Sequence, residues 1–185
     1  RFLKEVETKD LQLLAGIELL KNWDLGNQKD NTGAALAMLT FKLTYDIKDF
    51  KYDYSAIMKQ FKKSITFLNK EFGRIDIPLG DLQILKRGEL ELPLDGAPDV
   101  LRAIYSKKID GKKIATHGDC FFQIVEWDKD GNLTAQSIHQ FGSATIDKKS
   151  KHYSDQSKLF NSMEMKPSII DFKALEKSFL KSYKP

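Results

Sequence analysis

Apolar residues recur at helical spacing in the first part of the chain. Four of them share one helical face: Leu13, Leu14, Ile17 and Leu20. This helix is predicted to end near residues 22–31, where asparagine, aspartate and glycine favour loop conformations. A second helix is predicted to start with Thr32 as its cap and to run through residues 33–45. It is apolar on most sides, which predicts deep burial.

The clearest helical pattern follows at residues 53–73. Its apolar side chains recur every three or four positions: Tyr54, Ile57, Met58, Phe61, Ile65, Leu68 and Phe72. Asp53 is placed to cap the start of this helix, and Gly73 suits the left-handed conformation just beyond its end. We therefore interpret residues 1–73 as a helical segment.

Residues 74–118 show no sustained periodic pattern. Glycine and proline break this stretch into short pieces: Pro78, Gly80, Gly88, Pro93, Gly96 and Pro98. It is predicted to be a structured, irregular connector with little secondary structure, apart from a short helical turn over residues 98–105.

Two strands joined by a tight turn are predicted at residues 120–127 and 133–141. The connecting Asp130-Gly131 supplies the positive φ angle that short hairpin loops require. The first strand is apolar on both of its faces. A sheet containing it is therefore expected to be covered on both sides.

A last amphipathic helix is predicted over residues 172–183, with four apolar side chains on one face: Phe172, Leu175, Phe179 and Tyr183. Residues 119–185 are thus expected to combine the hairpin with carboxy-terminal helices in one structural unit. Helices first and antiparallel strands later predict the α+β class.

Composition adds only weak constraints on function. The 185 residues carry 30 basic and 26 acidic side chains, a net charge of +4, which gives little support for nucleic acid or an anionic membrane as partner. No apolar run is long enough to span a bilayer, so a folded soluble chain is expected. The sequence begins at Arg1 without an initiator methionine, which suggests a processed or trimmed piece of a longer protein.

The single cysteine, Cys120, suggests nucleophilic catalysis because His139 lies on the neighbouring predicted strand. Hairpin geometry argues against this pairing. With a three-residue loop, Asp128 faces Asn132. Cys120 then faces Gln140, which puts His139 on the opposite side of the sheet. A one-residue change of register would reverse the result, so a thiol enzyme stays open as an alternative to a buried, inert cysteine.

A metal site would require the three histidines to converge: His117, His139 and His152. Their spacing matches no zinc motif. The sequence "DKDGN" at residues 128–132 resembles the start of a calcium loop, but its twelfth position holds a histidine instead of a bidentate glutamate. We interpret this segment as a turn.

Carboxylate pairs are a further source of acid–base chemistry. Glu126 with Asp128, and Asp110 with Asp119, lie beside turns, where carboxylates are usually solvated or act as caps. No glycine-rich loop with a following lysine-serine or lysine-threonine is present to cradle phosphate. The residues taken alone give no catalytic set.

Four motifs occur in an order that resembles the carboxy-terminal part of the β chain of the penicillin amidase family: residues 73–104, 117–133 ("HGDCFFQIVEWDKDGNL"), 141–160 ("FGSATIDKKSKHYSDQSKLF") and 166–172. Trp23-Asp24 and Thr32-Gly33-Ala34 also fit the helical region that precedes them. The acylases that act on acyl-homoserine lactones and on lipopeptides such as aculeacin are the most similar branch. Lys148 and Lys151 stand where relatives often have prolines, and Cys120 where a serine is usual.

The resemblance implies an amino-terminal nucleophile hydrolase with an αββα architecture. In this family a precursor, or zymogen, cuts itself, and the new first serine of the β chain attacks an acyl amide with its own α-amine as base. Arg1 has no such hydroxyl. The nucleophile, the oxyanion donors and any calcium ligands are expected upstream, so no catalytic, cofactor-binding or metal residue is assigned to this chain.

The resemblance also implies partners and a setting. The fragment is expected to be inactive alone and to pack against the remainder of the α and β chains of an extracytoplasmic acylase, periplasmic or secreted, with a role in antibiotic metabolism or quorum quenching. Unpaired strand edges predict oligomerisation in isolation. The alternative is a stand-alone binding domain related to the acylases.

The segment "SKHYSDQ" at residues 150–156 is interpreted as a structural signature within this family. Ser154 or Asp155 is predicted to cap a short helix through Phe160. His152 and Tyr153 are expected to pack and to form hydrogen bonds against the body of the β chain. A role in contact with substrate or with another subunit stays open as the alternative.

Overall fold

The computed structural model describes residues 3, 6, 8–41, 45–46, 51–98 and 100–178. The chain divides into two compact units, residues 1–118 and residues 119–185. Each unit combines helices with strands, so the predicted α+β class is confirmed.

The first helix, α1 (Leu11–Lys21), begins where the Asp10 carboxylate accepts hydrogen bonds from the first-turn amides. Leu13, Ile17 and Leu20 are buried as predicted. Leu14 was assigned to the same face, but 43% of its side chain is exposed. Each residue advances the helix by about 100°, so Leu14 lies at the edge of the buried stripe.

The second helix, α2 (Ala34–Phe41), is buried on most sides, as its sequence predicted. Its predicted cap is wrong: the Asn31 Oδ1 accepts from the Gly33 and Ala34 amides at 2.9 and 3.0 Å, in place of Thr32. The predicted end at residue 45 is also wrong. The strand β1 (Tyr45–Asp46) pairs with β2 (Lys51–Tyr52), consistent with the strand preference of tyrosine. Residues 42–44 lie outside the described residues.

The third helix, α3 (Tyr54–Phe72), confirms the prediction at both ends. The Asp53 side chain accepts from the Ala56 amide at 2.9 Å, and Gly73 adopts φ 74°. Its apolar stripe packs on α1 at Gly16, where an added Cβ would lie 2.7 Å from Ile65 and 2.8 Å from Phe61. A side chain at that position would push the two helices apart.

The prediction of an irregular connector at residues 74–118 is wrong. This segment forms one helical turn and a four-stranded mixed sheet: α4 (Leu79–Leu82), β3 (Gln83–Arg87), β4 (Leu90–Pro93), β5 (Ile104–Ile109) and β6 (Lys112–Gly118). The strand order is β4-β3-β6-β5, with β3 parallel to β6 and the other two pairs antiparallel. The helical turn predicted over residues 98–105 is also absent from the described part of that range, because β5 begins at Ile104.

A buried polar cluster, Asp95 with Arg102 and Gln83, joins three segments of the first unit. The Arg102 guanidinium lies 3.2 Å from the Asp95 carboxylate, which is 5% exposed. The same carboxylate accepts from the Lys29 amide at 2.5 Å. The Gln83 side-chain amide donates to the carbonyl oxygens of residues 94, 95 and 96. These bonds hold the loop before β5 and the loop before α2 against β3.

The second unit contains the predicted hairpin. The strands β7 (Phe121–Trp127) and β8 (Leu133–His139) pair antiparallel, and β9 (Lys166–Pro167) pairs with the other edge of β8. The unit also contains two short helices: α5 (Ser157–Asn161) lies between β8 and β9 in the sequence, and α6 (Phe172–Ser178) follows β9. The predicted continuation of the last helix, through residue 183, lies outside the described residues. In the described ranges, no helix is both long and apolar enough to cross a membrane.

Replacing Arg102 by alanine is expected to lower the free energy of unfolding by about 3–5 kcal/mol, because the buried Asp95 carboxylate loses its cationic partner. Urea unfolding followed by far-ultraviolet circular dichroism measures the change.

The matched control is Arg74→Ala, which removes an exposed ion pair with Asp76 and is expected to cost about 1 kcal/mol or less. Equal effects of the two substitutions would contradict a structural role for the buried cluster.

Candidate functional site

The turn between β7 and β8 is organised by one carboxylate. The Asp128 Oδ1 accepts from the amides of Asp130 and Asn132 at 2.9 and 2.8 Å, and its Oδ2 accepts from the Asn132 side chain at 2.8 Å. Gly131 adopts φ 83°. The hydrogen bonds from the Asn132 side chain and amide hold the pKa of Asp128 below its usual range. The interpretation of this segment as a turn is confirmed.

This turn fixes the register of the hairpin. The Asp128 amide donates to the Asn132 carbonyl at 3.0 Å, and Phe121 lies directly opposite His139. Cys120, one residue earlier, therefore points to the other face of the sheet, as the sequence predicted. The His139 ring instead contacts the Phe121 ring, with centroids 5.1 Å apart.

Strand β7 exposes apolar side chains on both of its faces. All seven of its side chains are exposed. Phe121, Ile124 and Trp127 are 50%, 52% and 69% exposed. The expectation that both sides of this sheet are covered is therefore wrong for the described residues. Exposed apolar strands of this kind mark interaction surfaces or aggregation sites.

The loop that follows β8, residues 141–156, is fastened to the end of that strand. The Gln156 side chain accepts from the His139 amide at 3.1 Å, and the Gln156 amide donates to the Phe141 carbonyl at 2.8 Å. The Ser157 hydroxyl donates to the Gln140 carbonyl at 3.0 Å. The centroids of the Phe160 ring and the Phe122 ring of β7 lie 6.4 Å apart.

Inside this loop His152 pairs with Asp155. The His152 Nδ1 lies 2.7 Å from the Asp155 Oδ2, and the His152 carbonyl accepts from the Ala144 amide at 3.1 Å. The proposed capping of α5 by Ser154 or Asp155 is wrong, because the residue before the helix is Gln156 and no side chain caps it. The Asp155 carboxylate is engaged with the histidine instead.

A histidine oriented by a carboxylate has the arrangement of a general base. To act in nucleophilic catalysis it also needs a hydroxyl or thiol side chain within hydrogen-bonding distance. Among the described residues, no serine, threonine or cysteine side chain donates a hydrogen bond to His152. The pair joins two positions of the same loop, and the interpretation of this segment as a structural signature stays a prediction.

The three histidines have separate surroundings. His117 lies in the first unit, where its ring stacks on Tyr105 with centroids 4.8 Å apart. His139 and His152 lie in the second unit and make the contacts given above. Within the part of the chain that the structure describes, no three histidine, cysteine or acidic side chains cluster closely enough to hold a metal ion.

Local structure accounts for two of the candidate carboxylates, Asp128 and Asp110. The Asp128 carboxylate accepts the hydrogen bonds of its own turn, and Glu126 is an exposed residue of β7. Asp110 adopts φ 48° in the turn between β5 and β6, next to Gly111. Asp119 belongs to the second unit.

A polar cleft of about 580 Å³, lined mainly by the loop that joins α1 to α2, was not anticipated from the sequence. Its rim includes Trp23, Asp24 and Asn31. The Asp24 carboxylate accepts from the Gly26 amide at 2.8 Å and from the Asn31 side chain at 2.7 Å, and these bonds lower its pKa. The Trp23 Nε1 donates to the Gly26 carbonyl at 2.7 Å. These polar groups form hydrogen bonds within the loop itself. The high content of asparagine, aspartate and glycine in residues 22–31 is the sequence feature from which such a polar loop could have been predicted.

Comparison with known protein families gives one match. The family model described as penicillin amidase matches residues 1–177, which is nearly the whole chain. A search of curated proteins finds no match.

The turn predicts a pH-dependent stability. The folded-state pKa of Asp128 is below the usual 3.8, so its contribution is present above that value and is lost as pH falls through the lowered pKa. Wild type is therefore expected to be more stable than Asp128→Asn at neutral pH, and the difference should shrink as the solution is acidified below 3.8.

Urea unfolding midpoints of the two proteins across this pH range measure the difference. Lys129→Gln is the control, because it removes a turn charge that does not titrate in acid. A difference between wild type and Asp128→Asn that is independent of pH would contradict the stabilising role of the carboxylate.

Proposed function

The chain belongs to the penicillin amidase family, and on this basis we propose that it forms part of an acylase, an enzyme that hydrolyses the amide bond between an acyl group and an amine-bearing group. The match over residues 1–177 is the single observation that carries the proposal. The four motifs that resemble the carboxy-terminal part of a β chain support the more specific assignment to that region.

The proposed reaction is acyl transfer to water in two steps. A serine at the start of the β chain adds through its Oγ to the amide carbonyl, while the α-amine of the same residue accepts the hydroxyl proton. The proton then passes to the leaving amine as the amide bond breaks. Water hydrolyses the resulting ester, and donors around the oxyanion stabilise both tetrahedral intermediates. In this proposal the serine, the oxyanion donors and any calcium ligands lie in sequence outside these 185 residues.

The role we assign to this chain is structural. Its hairpin and helices would form part of the core on which the catalytic residues are positioned. The exposed apolar side chains of β7 support this assignment, because they offer a surface that the remaining α and β chains of the enzyme would bury. Removing such side chains from water contributes about 25 cal/mol for each Å² of apolar surface, against which the entropic cost of assembly must be set.

The substrate is proposed at the level of chemical class. Penicillins, acyl-homoserine lactones and acylated lipopeptides are the candidate acyl amides, and the acyl pocket would be built mainly by other parts of the enzyme. The resemblance also supports a location outside the cytoplasm.

The decisive experiment is expression of the complete gene, followed by intact mass measurement and amino-terminal sequencing. The expected result is two chains, with this segment in the larger one and a serine at the new start of that chain. Hydrolysis of a panel of acylated amines then identifies the substrate class. A single uncut chain without amidase activity would contradict the proposal and favour a stand-alone binding domain.

The role of β7 in assembly is tested by Ile124→Asp in the complete protein. Placing a carboxylate on this apolar surface is expected to reduce the yield of the processed two-chain enzyme, measured by gel filtration and mass spectrometry. Ile146→Asp is the control, because Ile146 is 89% exposed in the loop after β8. Equal yields for both variants would show that β7 is not buried on assembly.

A further inference from the structure

The solvent side of α3 carries a row of exposed lysines, which we call the lysine stripe: Lys59, Lys62, Lys63 and Lys70. Each residue advances a helix by about 100°, so these four side chains lie within an arc of about 100°. The buried residues of the same helix are centred on the opposite side. The stripe extends for about 16 Å along the helix axis and is uniformly positive.

The lysine stripe has no acidic partner among the described residues. Glu71 is the one acidic residue of α3, and its carboxylate lies at the turn after β5, where it would be 2.9 Å from a Cβ added to Gly111. None of the ion pairs in the described part of the chain includes a residue of the stripe. The arrangement is unfavourable for the helix alone, because lysines three or four positions apart repel one another.

A fifth lysine is brought to the stripe from another element. The Lys108 Nζ of β5 lies 4.0 Å from the centre of the Phe67 ring. Phe67 follows Lys63 by four positions and precedes Lys70 by three, so its ring borders the stripe. The cation–π contact therefore places another ammonium group beside the stripe. The net charge of +4 does not reveal this local concentration, because acidic residues elsewhere in the chain offset it.

The chemistry of this face favours a layer of anionic headgroups over a nucleic acid. Helix α3 contains lysine and no arginine, so it offers point charges without the bidentate fork that recognises individual phosphates. The bordering Phe67 ring is half-buried and already contacts Lys108, whereas base stacking requires an open ring. A convex helix face also provides no groove to follow a strand. A flat anionic surface requires none of these features.

The lysine stripe also differs from β7 in the kind of contact that it suits. Lysine is depleted from protein–protein interfaces, whereas aromatic residues such as those exposed on β7 are enriched in them. An assembled enzyme that buries β7 would therefore keep the lysine stripe on its outside.

We propose that the lysine stripe, together with Lys108, docks this chain onto the anionic phospholipid headgroups of a membrane surface. Helix α3 lies along the surface and does not insert, because its apolar side packs in the core of the first unit. Each lysine near such a surface strengthens binding by about fivefold. Docking is reversible and salt-dependent, since salt screens exposed charges. This attachment does not depend on acylase activity, so it goes beyond the proposed function.

Sedimentation with phospholipid vesicles tests the docking. The full chain is mixed with vesicles of phosphatidylcholine alone and with vesicles of equal parts phosphatidylcholine and phosphatidylglycerol. Binding is expected only with phosphatidylglycerol, and it is expected to disappear between about 0.1 M and 1 M salt. Equal binding to both kinds of vesicle, or binding that survives the higher salt, would come from apolar surface such as β7 and would overturn the proposal. Absence of binding to either vesicle would overturn it as well.

Removal of charge tests the assignment to α3. The first variant replaces the four lysines of the stripe: Lys59→Gln, Lys62→Gln, Lys63→Gln and Lys70→Gln. It is expected to bind the anionic vesicles about a hundredfold more weakly or worse. A matched control removes the same charge from exposed lysines of the second unit: Lys129→Gln, Lys148→Gln, Lys149→Gln and Lys151→Gln. The control is expected to lose much less, and equal losses would show that only net charge matters and overturn the assignment.

Stability measurements separate docking from a structural role of these lysines. Removing like charges from one helix face is expected to leave the urea midpoint of the first variant unchanged or slightly raised. Arginine at the same four positions keeps the charge and is expected to keep the binding within a few-fold. Loss of binding in the arginine variant, with an unchanged circular dichroism spectrum, would contradict an electrostatic contact.

Two further comparisons identify the partner. An oligonucleotide that binds more tightly than the anionic vesicles at equal phosphate concentration would make nucleic acid the partner and overturn the proposal. The processed product of the complete gene is expected to bind the same vesicles, and its failure to do so would show that another chain covers α3. Because vesicle binding by the full chain needs neither processing nor amide hydrolysis, its failure leaves the acylase proposal to its own test.

Discussion

The Asp128 turn controls the geometry of the second unit. A single carboxylate accepts hydrogen bonds from two amides and one side chain, and these contacts set the pairing of β7 with β8. Register decides the face on which every later side chain lies, because strand residues alternate with a period of two. The separation of Cys120 from His139 follows directly. So does the position at which β8 ends and the loop at residues 141–156 begins.

Two hairpin turns that contain Asp-Gly show how much the sequence can reveal. Asp130-Gly131 was recognised as a hairpin turn because the strands around it are strongly apolar. Asp110-Gly111 adopts positive φ at both residues, 48° and 77°, yet its flanking strands are rich in lysine and their pattern of burial is weak. The second hairpin was therefore missed, and with it the four-stranded sheet. Tertiary pairing supplies the stability that local sequence does not indicate.

Helix ends were predicted well where local chemistry decides them. Asp53 and Gly73 act within a few residues of α3, so their roles can be inferred from the sequence. The cap of α2 was assigned to Thr32, whereas the neighbouring Asn31 performs it. Both side chains are able to cap, and the choice depends on a loop conformation that spacing does not encode. The polar cluster at His152 is similarly ambiguous in the sequence. A histidine beside a carboxylate is compatible with catalysis or with loop stabilisation, and the choice depends on whether a nucleophilic side chain contacts the histidine.

Gln83 shows how a buried polar network restricts the chemistry of one position. Its amide nitrogen contacts three backbone carbonyls, while its own side-chain oxygen has no hydrogen-bond partner among the described residues. This position therefore requires a hydrogen-bond donor, and the surrounding described residues provide no donor for a second acceptor oxygen. Deamidation to glutamate, which exchanges only the nitrogen for an oxygen, would place a carboxylate against three carbonyl oxygens. Deamidation at this one position would thus lower the stability of the first unit, although the size of the side chain hardly changes.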